Sequence, residues 1–263
     1  MNKIKVVNNE IIPCNYDGVI VNDNNVIFSN NGNYYIDYID SDSVNLNINI
    51  LDNTCVNLFE YAHGNNILIS NTYNIDDKGE LMLGKFCYNN ETNEVININL
   101  KGEKSSIKYN YSSVSKGNDR TKINIYHLGN KSTSDIYNRT VARGGSSNYF
   151  DINSYVENGV VDCYLNQHTK IITLGESDNR INPNMFIGEE STNAIHSSTI
   201  SNIDENSLFY LMSRGIDYNT SVKLIIKGFV ISNINVDDEK KSEIINILDL
   251  LGGEWWIEKI LNF

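Results

Sequence analysis

Val44-Asn-Leu-Asn-Ile-Asn-Ile50 alternates apolar and polar residues without a break. A strand turns successive side chains to opposite faces. This stretch therefore puts Val44, Leu46, Ile48 and Ile50 on one face and asparagine on the other. Val95-Ile-Asn-Ile-Asn-Leu100 repeats the pattern after its first pair. Outward from these two, β-branched or aromatic runs recur at Val19-Ile-Val21, Val26-Ile-Phe28, Tyr34-Tyr-Ile36, Ile67-Leu-Ile69 and Ile123-Asn-Ile125. Turn residues separate them at intervals of about 8–12 residues, the spacing of an all-β fold. Sandwich, barrel and solenoid all satisfy it. Two features favour a solenoid. Pro13 and Pro183 are the only prolines, so few strands are barred from central ladders. Asparagine abounds at turns and tolerates the left-handed conformation that tight corners need. No repeat of fixed period is visible.

The pattern changes after Ile203. Asp204 is expected to cap a helix through Leu208, Phe209, Leu211 and Met212, with Arg214 in its last turn and Gly215 beyond it. Asp217 then caps a second helix through Val222, Leu224, Ile225 and Ile226, ending at Lys227 before Gly228. A third starts near Asp237-Asp-Glu239, carries Ile244, Ile247, Leu248 and Leu251 as a stripe, and breaks at Gly252-Gly253. Glu254 to Leu261 is expected to form a last short helix. The chain thus divides into a β body, residues 1–203, and a helical tail, residues 204–263. A strand stack must protect its open end, and the tail is expected to cap it.

Composition narrows the function. The 263 residues carry a formal net charge of −12. No basic cluster offsets it, which disfavours nucleic acid and anionic membrane as partners. There is no apolar run of membrane-spanning length and no signal-peptide pattern, so a cytoplasmic protein is expected. Cys14, Cys55, Cys87 and Cys163 lie far apart without a CxxC pair, as free thiols do.

Catalytic motifs are missing as well. GxxxxGK[ST], HExxH and GxSxG do not occur, which argues against an autonomous enzyme. Glu189-Glu190 and Asp76-Asp77 are adjacent, and neighbours on a strand face opposite ways rather than forming an acid/base pair. Cys163-x4-His168 is a weak metal-ligand spacing, better explained by a buried thiol and a surface imidazole. His196, just before the helices, offers an imidazole suited to a metal or a proton.

Pro183 with Met185-Phe-Ile187, then His196 with Thr199, then Leu208-Phe-Tyr-Leu-Met-Ser-Arg-Gly-Ile216 and Gly228-Phe229, together resemble the SufB/SufD family. These are the scaffold proteins of the SUF iron–sulfur cluster assembly system. The resemblance covers Lys131 to Phe263, is densest from Pro183 to Phe229, and has a fainter echo at Asp162-Cys-Tyr164 and Gln167. It implies a right-handed parallel β-helix followed by a small C-terminal α-helical domain. It implies a SufC-like ABC ATPase docked on the C-terminal helices, and pairing through the β-helix with a SufB-like subunit or a second copy. Phe209, Tyr210, Arg214, Gly215, Gly228 and Phe229 become the partner-binding candidates, and His196 the candidate ligand for iron or a transient cluster. Ser177 and Ser197 stand where SufB-type members carry a cysteine and a glutamate. Serine is a poor soft-metal ligand, so the chain looks SufD-like, short and divergent. The alternatives are a β-solenoid interaction protein that has lost cluster assembly, and a solenoid carbohydrate enzyme, which needs a groove of clustered carboxylates.

Overall fold

The computed structural model describes residues 2–254. The first seven strands are β1 (Asn2–Val7), β2 (Glu10–Ile12), β3 (Val19–Asn22), β4 (Asn25–Phe28), β5 (Gly32–Ile39), β6 (Ser43–Val44) and β7 (Asn47–Ile50). Longer strands follow: β8 (Cys55–Gly64), β9 (Ile67–Ile75), β10 (Glu80–Asn89), β11 (Thr92–Leu100), β12 (Ser106–Ser115) and β13 (Asn118–His127). The body ends with β14 (Thr133–Arg143), β15 (Ser147–Val156), β16 (Tyr164–Leu174), β17 (Asp178–Ile187) and β18 (Asn193–Asn202). Three helices complete the described chain: α1 (Glu205–Ser213), α2 (Tyr218–Ile231) and α3 (Asp238–Glu254).

The chain passes back and forth between two sheets. One runs β18-β16-β14-β12-β10-β8-β5-β1-β2, the other β17-β15-β13-β11-β9-β7-β4-β3. Neighbours are parallel except for the hairpins β1–β2 and β3–β4 at the N-terminal end. This is a β-solenoid of about six turns. Side-chain bonds between successive turns span 25 residues (Asp52 to Asp77), 26 (Asp77 to Glu103), 27 (Asn97 to Asn124) and 31 (Asn130 to Val161). Turns of unequal length explain why no fixed period shows in the sequence.

The left-handed corners exist, and asparagine (Asn8, Asn9, Asn53) shares them with lysine and aspartate. Asn53, Lys78, Lys104, Lys131 and Asp162 hold φ between 54° and 59° at equivalent corners. Asparagine is also used in ladders on the outside of the second sheet. Asn124 donates to Asn97 (2.9 Å), Asn153 to Asn124 (3.1 Å) and Asn184 to Asn153 (2.9 Å). The lumen is filled by columns such as Ile96–Ile123–Ile152, each fully buried. Such columns carry most of the hydrophobic stabilisation.

An ionic island interrupts that core. Lys85 lies between Glu60 (3.1 Å) and Glu94, all three without solvent exposure. Tyr38 and Tyr73 donate to Glu60. Burial alone would depress the Lys85 ammonium, but Glu94 and Glu60 outweigh it and keep it charged. Burial also pushes the Glu94 carboxyl up.

Among the described residues, the tail does not cap the end of the stack. Helices α2 and α3 lie on the outer face of the first sheet. Val222, Ile226, Val230, Ile234, Val236, Ile244 and Leu248 pack on Tyr35, Phe59, Tyr61, Phe86, Val114 and Val141. Those outward positions are apolar turn after turn, and a face of that kind must be covered. Asn233 pins the helices there, donating to the carbonyls of Tyr111 (2.7 Å) and Tyr137 (3.2 Å). Arg139 donates to the Phe229 carbonyl (2.9 Å) and to Ser232 (2.7 Å). Two helix ends also differ from expectation. α2 continues through Gly228 to Ile231 because its far end is held by these contacts, and α3 runs on through Gly252-Gly253 to Glu254. The short helix expected at Glu254 to Leu261 lies, beyond its first residue, outside the described residues.

Lys85→Met leaves two buried carboxylates uncompensated. It is expected to cost about 3–5 kcal/mol, read by urea unfolding; a loss near zero would mean that the island is neutral. Two other buried groups oppose each other in pH. His127, between Ser132 (2.8 Å) and Ser134 (2.9 Å), is pushed down by burial to about 4. Its contribution is complete above the ordinary histidine value and is lost as pH falls towards 4. Asp119 is pushed up by burial to about 6. Its folded state favours the proton, so its contribution is largest at low pH and is lost as pH rises through 6. Each is worth about 3 kcal/mol by linkage. Asp119→Asn should therefore expose a loss of stability on acidification from pH 6.5 to 4. His127→Gln should expose the opposite slope.

Candidate functional site

Among the described residues nothing covers the C-terminal end of the solenoid, and α1 stands beside it in sequence. Each β18 side chain inherits its direction from the turn below. Ala194 packs with buried Cys163 and Leu165, so it faces inward. Alternation then turns His196, Ser198 and Ile200 inward and Ile195, Ser197 and Thr199 outward. His196 is in register with Gln167, whose Nε2 donates to Ser154 (2.7 Å). Gln167 Oε1 is buried without a partner among the described residues. His196 is exposed because no further turn covers it.

The two serines are not neighbours of that imidazole. Ser197 projects from the opposite face of β18. Ser177 precedes β17, and its hydroxyl accepts from Asn179 (2.7 Å). The Cys163/His168 spacing also separates: Cys163 is buried, while His168 stacks on Tyr137 at 5.1 Å on the outer face. Among the described residues, no group of three or more His, Cys, Asp and Glu is placed to hold a metal ion. An iron or cluster cargo held through His196 would need donors from elsewhere.

Asp204 caps α1, accepting from the Ser207 hydroxyl (2.6 Å) and amide (2.8 Å). Those bonds, the hydroxyl first, hold its carboxyl below the usual range. Gly215, at φ 86°, ends the helix and donates to the Met212 carbonyl (3.0 Å). No α1 residue is buried. Leu208 leans on the tail core, while Phe209 is 74% exposed, Tyr210 58% and Met212 44%. Arg214 lies over the Tyr210 ring at 5.3 Å.

Phe209, Tyr210, Arg214 and Gly215 are thus together on and just after α1. Gly228 and Phe229 are apart, in the second half of α2. Phe229 is turned onto the body, its ring beneath Arg139 (5.3 Å) and Lys170 (5.9 Å). Sequence reasoning left Met212 out of the partner-binding candidates and missed the exposed Phe186, Ile195 and Ile200 of the last two strands. Strand alternation was the available signal for those three, but without the number of turns it could not show that the stack stops there.

No helix among the described residues is long and apolar enough to cross a membrane. Residues 43–229 match the family model for the SUF system FeS cluster assembly SufBD core domain. That match begins well before Lys131, where the recognisable motifs start. The chain is 27% identical over 129 residues to the iron–sulfur cluster assembly protein SufD of Bacillus subtilis, covering 48% of this chain and 29% of that protein. A SufBD family protein of Mycobacterium leprae is 31% identical over 42% of this chain and 13% of its own length. One from Galdieria sulphuraria is 31% identical over 41% and 50%. The chain therefore spans half or less of each of these relatives.

His196→Ala is expected to change unfolding free energy by less than about 0.5 kcal/mol, because the side chain is exposed and bears no packing. A larger loss on urea titration would give it a structural role.

Proposed function

The chain belongs to the SufB/SufD family, whose members act in SUF iron–sulfur cluster assembly, and we propose that it is a SufD-like, non-catalytic scaffold subunit working in the cytoplasm. It docks a SufC-like ABC ATPase through α1 and the turn after it. It pairs through its solenoid with a SufB-like subunit or a second copy. The observation that carries this reading is a capped, well-terminated helix that buries none of its residues and displays Phe209, Tyr210 and Met212. Exposed aromatics beside an arginine are the residue types that dominate binding hot spots. His196, at the open end, offers one imidazole to an iron or cluster cargo that other donors complete.

The test is co-elution with the ABC-type ATPase of the same organism. Phe209→Asp and Arg214→Glu should each weaken the complex about tenfold or more. If the wild-type chain and the ATPase do not co-elute, the docking is wrong.

A second reading is an interaction paralogue that has lost cluster assembly. It draws support from Ser177 and Ser197, neither of which points with His196. Anaerobic iron–sulfide reconstitution separates the two. Visible charge-transfer absorbance that His196→Ala abolishes would eliminate the paralogue reading.

A further inference from the structure

An asparagine followed by glycine can cyclise on itself. Glycine has no Cβ, so its amide nitrogen can reach the carbonyl carbon of the asparagine side chain. The sequence has two such pairs, Asn31-Gly32 and Asn158-Gly159. The fold treats them in opposite ways.

Asn31 is tied down. Its Oδ1 accepts from the Cys55 amide of the next turn (2.7 Å). Gly32 opens β5 and is in register with Val56. Closing a five-membered ring there would break that hydrogen bond and pull Gly32 out of its ladder.

Asn158-Gly159 lies in the loop between β15 and β16, and both residues are exposed. Val160 N donates to the Glu157 carbonyl (3.3 Å). The pair therefore fills the two central positions of a tight turn, outside any ladder, with Gly159 at φ 86°. The Asn158 side chain has no hydrogen-bond partner among the described residues. It rests against the corner between β17 and β18, where a Cβ on Gly188 would come within 2.5 Å of its Oδ1. From that corner Glu189 reaches back, and its Oε2 accepts from the Gly159 amide (3.1 Å). A carboxylate thus already holds the proton that must leave when this nitrogen attacks.

We propose that Asn158 is a self-modification site, converted to isoaspartate and aspartate with Glu189 as the base. In the first step Gly159 N bonds to Asn158 Cγ, and the Cγ–Nδ2 bond breaks. The Gly159 amide proton passes to Glu189 and on to the departing nitrogen, which leaves as ammonia. Water then opens the succinimide at either carbonyl and leaves a carboxylate. The new charge stands in a corner that already carries Glu157, Glu189 and Glu190. Two hydrogen bonds that join this loop to the next corner are Gly159 to Glu189 and Asp162 N to Ser191 Oγ (2.9 Å). Repulsion between the new carboxylate and Glu189 opposes the first, so conversion loosens the last corner of the solenoid. The site is independent of ATPase docking and of pairing.

Incubation of the full folded chain in warm, mildly alkaline buffer tests it. Peptide mapping by mass spectrometry follows amide-to-acid conversion at both pairs, and enzymatic methylation of isoaspartate counts that product. Asn158 is expected to convert at least about tenfold faster than Asn31. Unfolding in urea should bring the two rates together, because the fold makes the difference. Glu189→Gln should slow conversion at Asn158 about fivefold or more and leave Asn31 unchanged. Asn158→Ser keeps a turn-forming residue and should abolish the isoaspartate signal. Equal rates at the two pairs in the folded chain overturn the proposal. So does isoaspartate that persists in Asn158→Ser. A rate at Asn158 that Glu189→Gln leaves unchanged overturns the assignment of the base. Asn31 in the same sample reports any general loosening by that variant, since it would then convert faster, and Glu189→Asp, which keeps the carboxylate, should retain more of the rate than Glu189→Gln.

Discussion

In-register parallel pairing between turns is the constraint from which the other features descend. A parallel ladder satisfies backbone N–H and C=O groups only if each turn lies on the one before it. Side chains at equivalent positions then form columns. Leu83, Tyr109, Ile136, Gln167 and His196 belong to one column facing the lumen. The column beside it holds Glu60, Lys85, Tyr111, Asn138, Thr169 and Ser198. His196 is thus a core position by geometry and a surface position by circumstance. The stack stops above it, and what would have been interior is exposed.

The same columns determine where the helices go. Outward positions of the first sheet are apolar at Phe59, Phe86, Val114 and Val141, whereas those of the second sheet carry the asparagine ladder. Water can satisfy the second face but not the first. Helices α2 and α3 therefore lie along the side of the solenoid, held by Asn233 and Arg139, and do not cover its C-terminal end. Had the tail capped the end, neither His196 nor the β18 edge would be accessible.

Much of this was legible in the sequence, for identifiable reasons. Alternation at Val44–Ile50 reports burial on one face of a strand, and both helix caps at Asp204 and Asp217 fall where expected. Those signals are local. The placement of the tail was not legible because it depends on columns assembled from residues about 25–31 apart. Lysine at the left-handed corners was equally hidden. Its backbone cost, about 1–2 kcal/mol, is offset by amide bonds to the next corner, such as Lys78 N to the Glu103 carbonyl at 2.9 Å. At the site, the aromatic run of α1 was readable, but its exposure was not, since an amphipathic helix normally buries such residues.

β18 and α1 are separated by only Ile203 and Asp204. Asp204 is the cap of α1, and Ile203 packs into the tail core. A partner at the end of the solenoid would order the backbone directly ahead of that cap. A partner on α1 would in turn hold the end of β18. Two ligands that each stabilise the same short segment favour one another, and the effect is reciprocal by linkage. A partner on α1 and one at the end of the solenoid would therefore be coupled through these two residues.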